Sequence, residues 1–175
     1  DRDLLTKRQK MNNRISLGVL QEYARSGMFE MLYIVSENEI KTAMGEVSLL
    51  EYDNKFADYL VSTFGMFNYF THSDPLRKVE KENKEGLRIG TIGFFQMGDE
   101  RNELCLAPLE SIKQKVYYYG LTSDEINNPG LMNEISEQLS SQKETGYDCS
   151  YEVHEVGGEH STTILCAYTD QTQPV

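Results

Sequence analysis

A pair of glycines, Gly157-Gly158, divides residues 147–169 into two runs in which apolar and polar side chains alternate. A two-residue Gly-Gly loop favours a β-hairpin, because glycine readily adopts the positive φ angles that tight hairpin turns require. Alternation places every second side chain on the same face of a strand. The sequence therefore predicts a C-terminal β-hairpin with one face in the core and the other mostly in solvent.

The register of this hairpin makes a prediction about two cysteines. Counting outward from the glycines places Cys149 opposite Cys166 in a non-hydrogen-bonded pair. The Cα atoms of such a pair lie roughly 4.5 Å apart, inside the range of about 4.4 to 6.8 Å that a disulfide spans. The register predicts a Cys149–Cys166 disulfide, and the alternative is two reduced cysteines packed as small apolar neighbours. A disulfide would imply maturation in an oxidising compartment, with Cys105 left unpaired.

The length and composition fit a folded domain. The chain has 175 residues, of which 39% are hydrophobic and 26% charged, and this predicts a single globular domain over residues 1–175. No segment approaches the roughly 18 consecutive apolar residues of a membrane span. The sequence begins with Asp1 rather than Met, so we expect membrane attachment only through a segment upstream of it.

Charge is distributed unevenly along the chain. The net charge is −11, yet residues 1–14 hold five basic and two acidic residues. An acidic body repels the phosphates of nucleic acids, so nucleic-acid binding is not expected. The basic start fits a juxtamembrane collar, a tail for an acidic partner or a solvated helix face.

Apolar spacing predicts a long N-terminal helix over residues 3–26. Met11, Ile15, Val19 and Tyr23 recur at steps of four, and Gly27 provides a stop signal. The first ten residues are too polar to pack, as expected if the helix continues from an upstream segment.

Similar signals predict the remaining elements. Helices are expected over residues 37–52, 53–70, 76–85, 109–120 and 129–139, and a second hairpin over 87–107. Residues 28–35 fit either a strand or a helix. The predicted fold class is α+β, with a long N-terminal helix and a helical layer packed on a small antiparallel sheet that ends in the C-terminal β-hairpin.

The segment 64–70 is the most aromatic in the chain. It contains Phe64, Phe67, Tyr69 and Phe70. Aromatic side chains at helical spacing usually form core, and this segment is expected at the centre of the helical layer. The alternative is a ligand pocket between these four residues and the sheet.

The histidines of the C-terminal hairpin do not predict a metal site. His154, Glu155, Glu159 and His160 crowd its tip, but the register places the two histidines on opposite faces. Their spacing also differs from the helical pattern of zinc hydrolases. We therefore expect a cross-strand Glu155–His160 pair and no metal.

No catalytic residue or cofactor is predicted either. Glu46, Glu51, Asp53 and Lys55 contain an acidic-x-Lys element, but such nuclease sites need carboxylates at strand ends, whereas this stretch is predicted to be helical. Cys105 has no histidine in its local unit, and the glycines of residues 90–93 lie inside a predicted strand. The sequence favours a non-enzymatic protein.

The leading functional hypothesis is an interaction or structural domain that is extracytoplasmic or at the cell surface. It would be anchored or assembly-forming, with protein partners that include copies of itself. A long N-terminal helix leading into a sheet with a C-terminal disulfide resembles pilin-like and secretion-apparatus ectodomains in architecture. The alternative is a cytosolic sensor that binds a small molecule near segment 64–70.

Overall fold

A mixed sheet with helices packed on it forms the body of the protein. The computed structural model describes residues 5–79, 86–97, 99–143 and 146–174. Within them the elements are α1 (Lys7–Arg25), β1 (Leu32–Tyr33), α2 (Glu37–Met44), α3 (Tyr52–His72), β2 (Arg77–Val79), β3 (Ile89–Gln96), β4 (Asp99–Cys105), β5 (Gln114–Leu121), α4 (Ser123–Ile126), α5 (Leu131–Lys143), β6 (Asp148–Glu155) and β7 (Thr162–Thr169). The predicted α+β class is confirmed.

The strands of the sheet do not follow chain order. Their order is β1-β3-β7-β5-β6-β2, and β4 pairs with β3. The pairs β1–β3 and β5–β6 are parallel, whereas β3–β7, β5–β7, β3–β4 and β2–β6 are antiparallel. The sheet is therefore mixed rather than antiparallel.

The predicted C-terminal hairpin is wrong, although both of its strands exist. β5 lies between β6 and β7, with Tyr117 opposite Tyr151 on one side and Leu165 on the other. A local turn signal cannot reveal a third strand that inserts from elsewhere in the chain. The stretch that provides β5 had been predicted as a helix over residues 109–120, which is also wrong. β5 is buried along its whole length, and a strand buried on both faces lacks the alternation that marks a half-exposed one.

The predicted disulfide fails for the same reason. Cys149 lies opposite Lys115 on one side of β5, and Cys166 lies opposite Val116 on the other side. The two cysteines belong to hydrophobic clusters on opposite faces of the sheet. All three cysteines of the chain are free thiols.

Two apolar layers cover the two faces of the sheet. On the first, here called the α5 face, α5 and β4 pack on residues that include Tyr117, Tyr119 and Leu165. On the second, here called the α3 face, Phe70 of α3 packs on residues that include Tyr118 and Ile164. The core lies in these two layers.

Several helix boundaries differ from the predictions. α2 starts at Glu37 as predicted, but Gly45, with φ of 67°, ends it early, and the Ser36 side chain makes no capping hydrogen bond. Glycine suits this position because side chains disfavour positive φ. Residues 77–79 of the predicted helix over 76–85 form β2 instead, and residues 80–85 lie outside the described part. The hairpin over 87–107 is confirmed as β3–β4.

No helix in the described ranges is both long enough and apolar enough to span a bilayer.

Candidate self-assembly surfaces

Helix α1 is held to the body by a narrow inner face. Its buried residues are Gln21 and Ala24. The side-chain amide of Gln21 donates through Nε2 to the backbone carbonyl of Gln173 at 3.2 Å. Its Oε1 accepts from the backbone N–H of Gln173 at 2.5 Å. This reciprocal pair fastens the second half of α1 to the C-terminal segment. A capping box between Thr6 and Gln9 starts the helix.

The outer face of α1 carries an exposed apolar row. It consists of Met11, Ile15, Val19 and Tyr23, here called the α1 stripe. Met11 is 63% and Ile15 53% exposed. The stripe predicted to pack into the core therefore faces outward.

A second exposed apolar feature stands at the turn between α2 and α3. Leu49 and Leu50 are 90% and 93% exposed, and acidic Glu46 and Glu51 flank them. We call these four residues the leucine tip. Isolated exposed apolar residues are ordinary on protein surfaces, but two adjacent and almost fully exposed leucines are typical of a contact with another molecule.

Polar contacts fix the base of the leucine tip. Ser48 donates to the Glu51 carboxylate at 3.1 Å, and Lys55 pairs with the same carboxylate at 3.8 Å. Lys41 lies 5.6 Å from the centre of the Tyr52 ring. The hydrogen bond from Lys41 lowers the pKa of Glu37. The turn is thus braced from both flanking helices.

The four aromatic residues predicted as a ligand pocket do not converge. Phe70 is buried and stacks on Tyr118, with ring centres 5.8 Å apart. Phe64 packs against the α3 face, and the Tyr69 hydroxyl donates to the Glu155 carbonyl at 3.3 Å on the surface. Phe67 lines a crevice.

This crevice lies between α3, β1 and the sheet and has a volume of about 870 Å³. Its walls include Tyr33, Tyr118 and Tyr168 beside Phe67. The phenol groups of Tyr33 and Tyr168 lie 3.4 Å apart. Burial raises the pKa of both. Ligand binding near segment 64–70 stays a prediction.

The sequence did not indicate a buried polar chain at the end of α3. His154 contacts the Ser73 hydroxyl through Nδ1 at 3.0 Å and the Glu152 carboxylate through Nε2 at 3.2 Å. Lys78 pairs with Glu152 at 2.8 Å. A serine, a histidine and a carboxylate connected in this order can activate a nucleophile. His154, however, is 1% exposed, so the chain of contacts acts as a link between α3, β6 and β2.

A second buried polar cluster lies on the α5 face. Glu103 of β4 accepts hydrogen bonds from Lys115 and, at 2.7 Å, from the Tyr117 hydroxyl. Burial lowers the pKa of Lys115, but hydrogen bonding to Glu103 and Tyr147 together with the charge of Glu103 outweighs burial, and the net shift of the pKa is upward. Burial also raises the pKa of the Cys105 thiol to about 11, which makes it a poor nucleophile. The cluster holds β4 against the sheet.

The predicted Glu155–His160 pair does not form. Glu155 accepts a hydrogen bond from Ser123 at the end of β6, and His160 lies in the connection before β7. Among the described residues, no group of three or more His, Cys, Asp or Glu side chains could hold a metal ion.

Both exposed apolar features were missed as surfaces at the sequence level. The α1 stripe has the periodicity of a core-facing helix, so spacing alone assigned it to the core. The leucine tip carried a usable signal, because Gly45 breaks the helix just before Leu49 and Leu50. Leu49 and Leu50 follow this helix end and lie between acidic residues. They therefore belong to a turn rather than to the apolar face of a helix.

Comparison with known proteins identifies the fold. No family model and no curated protein matches the sequence. Among solved structures, an FtsZ dimer from M. jannaschii matches with a TM-score of 0.60 at 9% identity, over 87% of this chain and 48% of that one. A protofilament of TubZ from Bacillus thuringiensis serovar israelensis in its GTPγS form matches with 0.57 at 13% identity, over 93% and 49%. CetZ from Methanosaeta thermophila matches with 0.52 at 16% identity, over 81% and 43%.

The chain therefore has the fold of about half of each of these proteins. The matching structures include an FtsZ dimer and a TubZ protofilament. The predictions about nucleic acid, an upstream membrane anchor and a single domain stay predictions.

Both functional hypotheses from the sequence are wrong. An FtsZ- and TubZ-like fold replaces the pilin-like interaction domain and the alternative of a small-molecule sensor. The predicted extracytoplasmic location is wrong as well. It rested on the Cys149–Cys166 disulfide, and both cysteines are free.

Proposed function

We propose that this chain is one half of a filament-forming protein related in fold to FtsZ and TubZ, and that its function is self-assembly. The observation that carries the proposal is the structural match over 87% to 93% of the chain to an FtsZ dimer and a TubZ protofilament. A further match is a two-stranded TubZ filament.

The α1 stripe supports the idea that a second half of the fold is needed. The chain spans about half the length of the solved structures that it matches. The four apolar side chains of the stripe are exposed on one face of the helix, and Leu20 of the same helix is 39% exposed. Covering such a row removes apolar surface from water, which is favourable by about 25 cal/mol for each Å² buried. We propose that the other half of the fold covers it.

The state of the cysteines is compatible with this function. All three are free, and two of them are buried in the sheet. Free buried cysteines are typical of proteins that work in a reducing compartment. We therefore propose a reducing compartment as the place of assembly.

The test is assembly of the complete protein as a function of concentration. Sedimentation and negative-stain electron microscopy should show filaments above a critical concentration, in the absence of other proteins. Parallel samples with GTPγS and GDP, the nucleotide forms in which TubZ protofilaments were solved, would show whether assembly responds to nucleotide. A protein that remains monomeric under all three conditions at high micromolar concentration would contradict the proposal.

A further inference from the structure

The first half of α1 is exposed on all sides. Every residue from Thr6 to Ser16 is exposed, whereas the buried residues of α1, Gln21 and Ala24, lie in its second half. Most of the stability of a helix in a protein comes from the packing of an apolar face, and so short a stretch is marginal alone. We therefore expect this half of α1 to be stabilised by a surface outside the described residues.

The same half of the helix is strongly basic. It carries four exposed cations, here called the basic end: Lys7, Arg8, Lys10 and Arg14. The first acidic residue of α1 is Glu22, which pairs with Arg25 at 3.2 Å. None of the four cations forms an ion pair with a carboxylate of the described residues. They stand out on a chain whose net charge is −11.

The stability of the helix itself does not explain the basic end. The N-terminus of a helix has a partial positive charge, which favours acidic side chains and disfavours basic ones. Lys7 and Arg8 open α1, and its first turn contains no acidic residue. A charge pattern that opposes the local structure points to a contact with another surface.

The basic end continues the α1 stripe. Lys7 lies four residues before Met11, at the same step as the stripe, and Arg14 lies three residues after Met11. Side chains three or four residues apart are neighbours on one side of a helix. A surface that covers the stripe therefore also meets the cations at its start.

We propose that the other half of the fold covers α1 with a surface that is apolar opposite the stripe and carries carboxylates opposite the basic end. This rests on the proposed function, in which the chain spans about half of the structures that it matches and the other half covers the stripe. It adds the chemistry of the covering surface. Pairing of the carboxylates with the cations fixes the register of α1 on the other half.

The charge of the rest of the chain favours a protein surface over other anionic partners. A nucleic acid or an anionic membrane presents negative charge over a wide area, which would also meet and repel the acidic body. Carboxylates placed only opposite the basic end avoid this repulsion.

The first experiment reverses one charge of the basic end in the complete protein. Hydrogen exchange of backbone amides in residues 10–20, measured by mass spectrometry below the critical concentration for assembly, reports the opening of α1. In Arg8→Glu we expect exchange at least about tenfold faster than in the wild type, because the new carboxylate faces those of the other half. The matched control is Lys113→Glu, which reverses an exposed cation outside α1 and should leave this exchange unchanged.

The sign of the change separates a contact from a purely local effect. If the basic end faced only solvent, Arg8→Glu would place an acidic residue in the first turn, where it stabilises the helix. Exchange of the α1 amides would then become slower rather than faster.

The second experiment varies the salt concentration. Raising NaCl from about 50 mM to about 500 mM shortens the range of electrostatic interactions. We expect the α1 amides of the wild type to exchange faster at high salt, because attraction is screened. The same amides of Arg8→Glu should exchange more slowly, because repulsion is screened.

The outcomes separate this inference from the proposed function. Failure of the wild type to form filaments would contradict the proposed function, whereas the exchange is measured on the unassembled protein. Exchange in Arg8→Glu that equals or is slower than that of the wild type would overturn the inference alone. Protection of α1 that appears only in filaments, or only with phosphatidylserine vesicles, would also overturn it, because the negative charge would then belong to a second copy or to a lipid surface.

Discussion

Helices α1 and α5 have the same apolar spacing and opposite surroundings. In α5, Leu131, Ile135 and Leu139 recur at steps of four and are buried, Ile135 completely. In α1, Met11 and Ile15 recur at the same step and are more than half exposed. The comparison shows that the period of the apolar residues identifies the apolar face of a helix. The position of the helix in the fold determines what packs on that face.

The reason for the difference lies in chain connectivity. α5 belongs to the connection between the parallel strands β5 and β6, and such a crossover must pass over one face of the sheet. Its apolar row therefore meets the strands that it joins. α1 precedes the sheet and contacts the body mainly through Gln21 and Ala24. Its apolar row is free to meet a different surface.

The largest effect is expected on the buried helix. Ile135→Ala should lower the free energy of unfolding by about 2 to 5 kcal/mol, because it removes buried methyl groups and leaves a cavity between α5 and the sheet. Urea unfolding followed by circular dichroism measures the change. If the free energy of unfolding falls by less than it does for an ordinary surface substitution, α5 does not pack on the sheet as described.

An intermediate effect on stability should appear at alkaline pH, where buried tyrosines behave differently from exposed ones. Burial raises the pKa of Tyr33, Tyr117, Tyr119 and Tyr168. The unfolded chain ionises its tyrosines near about pH 10. A pKa that is higher in the folded state gives stability that is fully present below that pH and lost above it. The net upward shift of Lys115 acts in the same direction.

We therefore expect the urea midpoint to fall steeply above about pH 10, together with the appearance of tyrosinate absorbance. Tyr33→Phe removes one of these groups and should make the fall shallower. A urea midpoint that stays level through this pH range would show that the phenols ionise without unfolding.

The smallest effect is expected on the exposed helix. Ile15→Ala in this chain should change the free energy of unfolding by no more than about 0.5 kcal/mol, because the side chain has no packing to lose. In the complete protein the same substitution should cost about 1 kcal/mol or more if the other half of the fold covers the stripe. Equal small costs in both settings would show that the stripe is not covered, and would break the comparison with Ile135.

Local signals in the sequence were enough for several elements. The helix predicted over residues 129–139 is present as α5, with Leu131, Ile135 and Leu139 buried, and Thr122 and Glu125 have the spacing of the capping box that they form. The hairpin of β3 and β4 is also confirmed. In each case the contacts that decide the structure lie within a few residues or along one periodic face.

The remaining elements depend on contacts that are distant in sequence. The run Tyr117–Tyr119 fits a strand or a helix, and the choice depends on pairing with Tyr151 and Leu165 far along the chain. The candidate surfaces were harder still to predict, because the apolar spacing of the α1 stripe is the same as that of a helix packed in the core. The structure is needed to show that these side chains are exposed. Whether a side chain is exposed depends on the complete fold, and it cannot be deduced from the spacing of apolar residues.

The central position of β7 also determines when this protein can fold during synthesis. Among the strands β1 to β7, β7 is the last to be synthesised, yet it lies between β3 and β5 and pairs with both. Until it emerges, β3 with β1 and β4 cannot join the sheet of β5, β6 and β2, and each part exposes an unpaired edge. Ile89 pairs with Thr169, which lies 80 residues further along the chain, and pairing over such separations slows folding. A nascent chain therefore needs protection from premature association until β7 is complete.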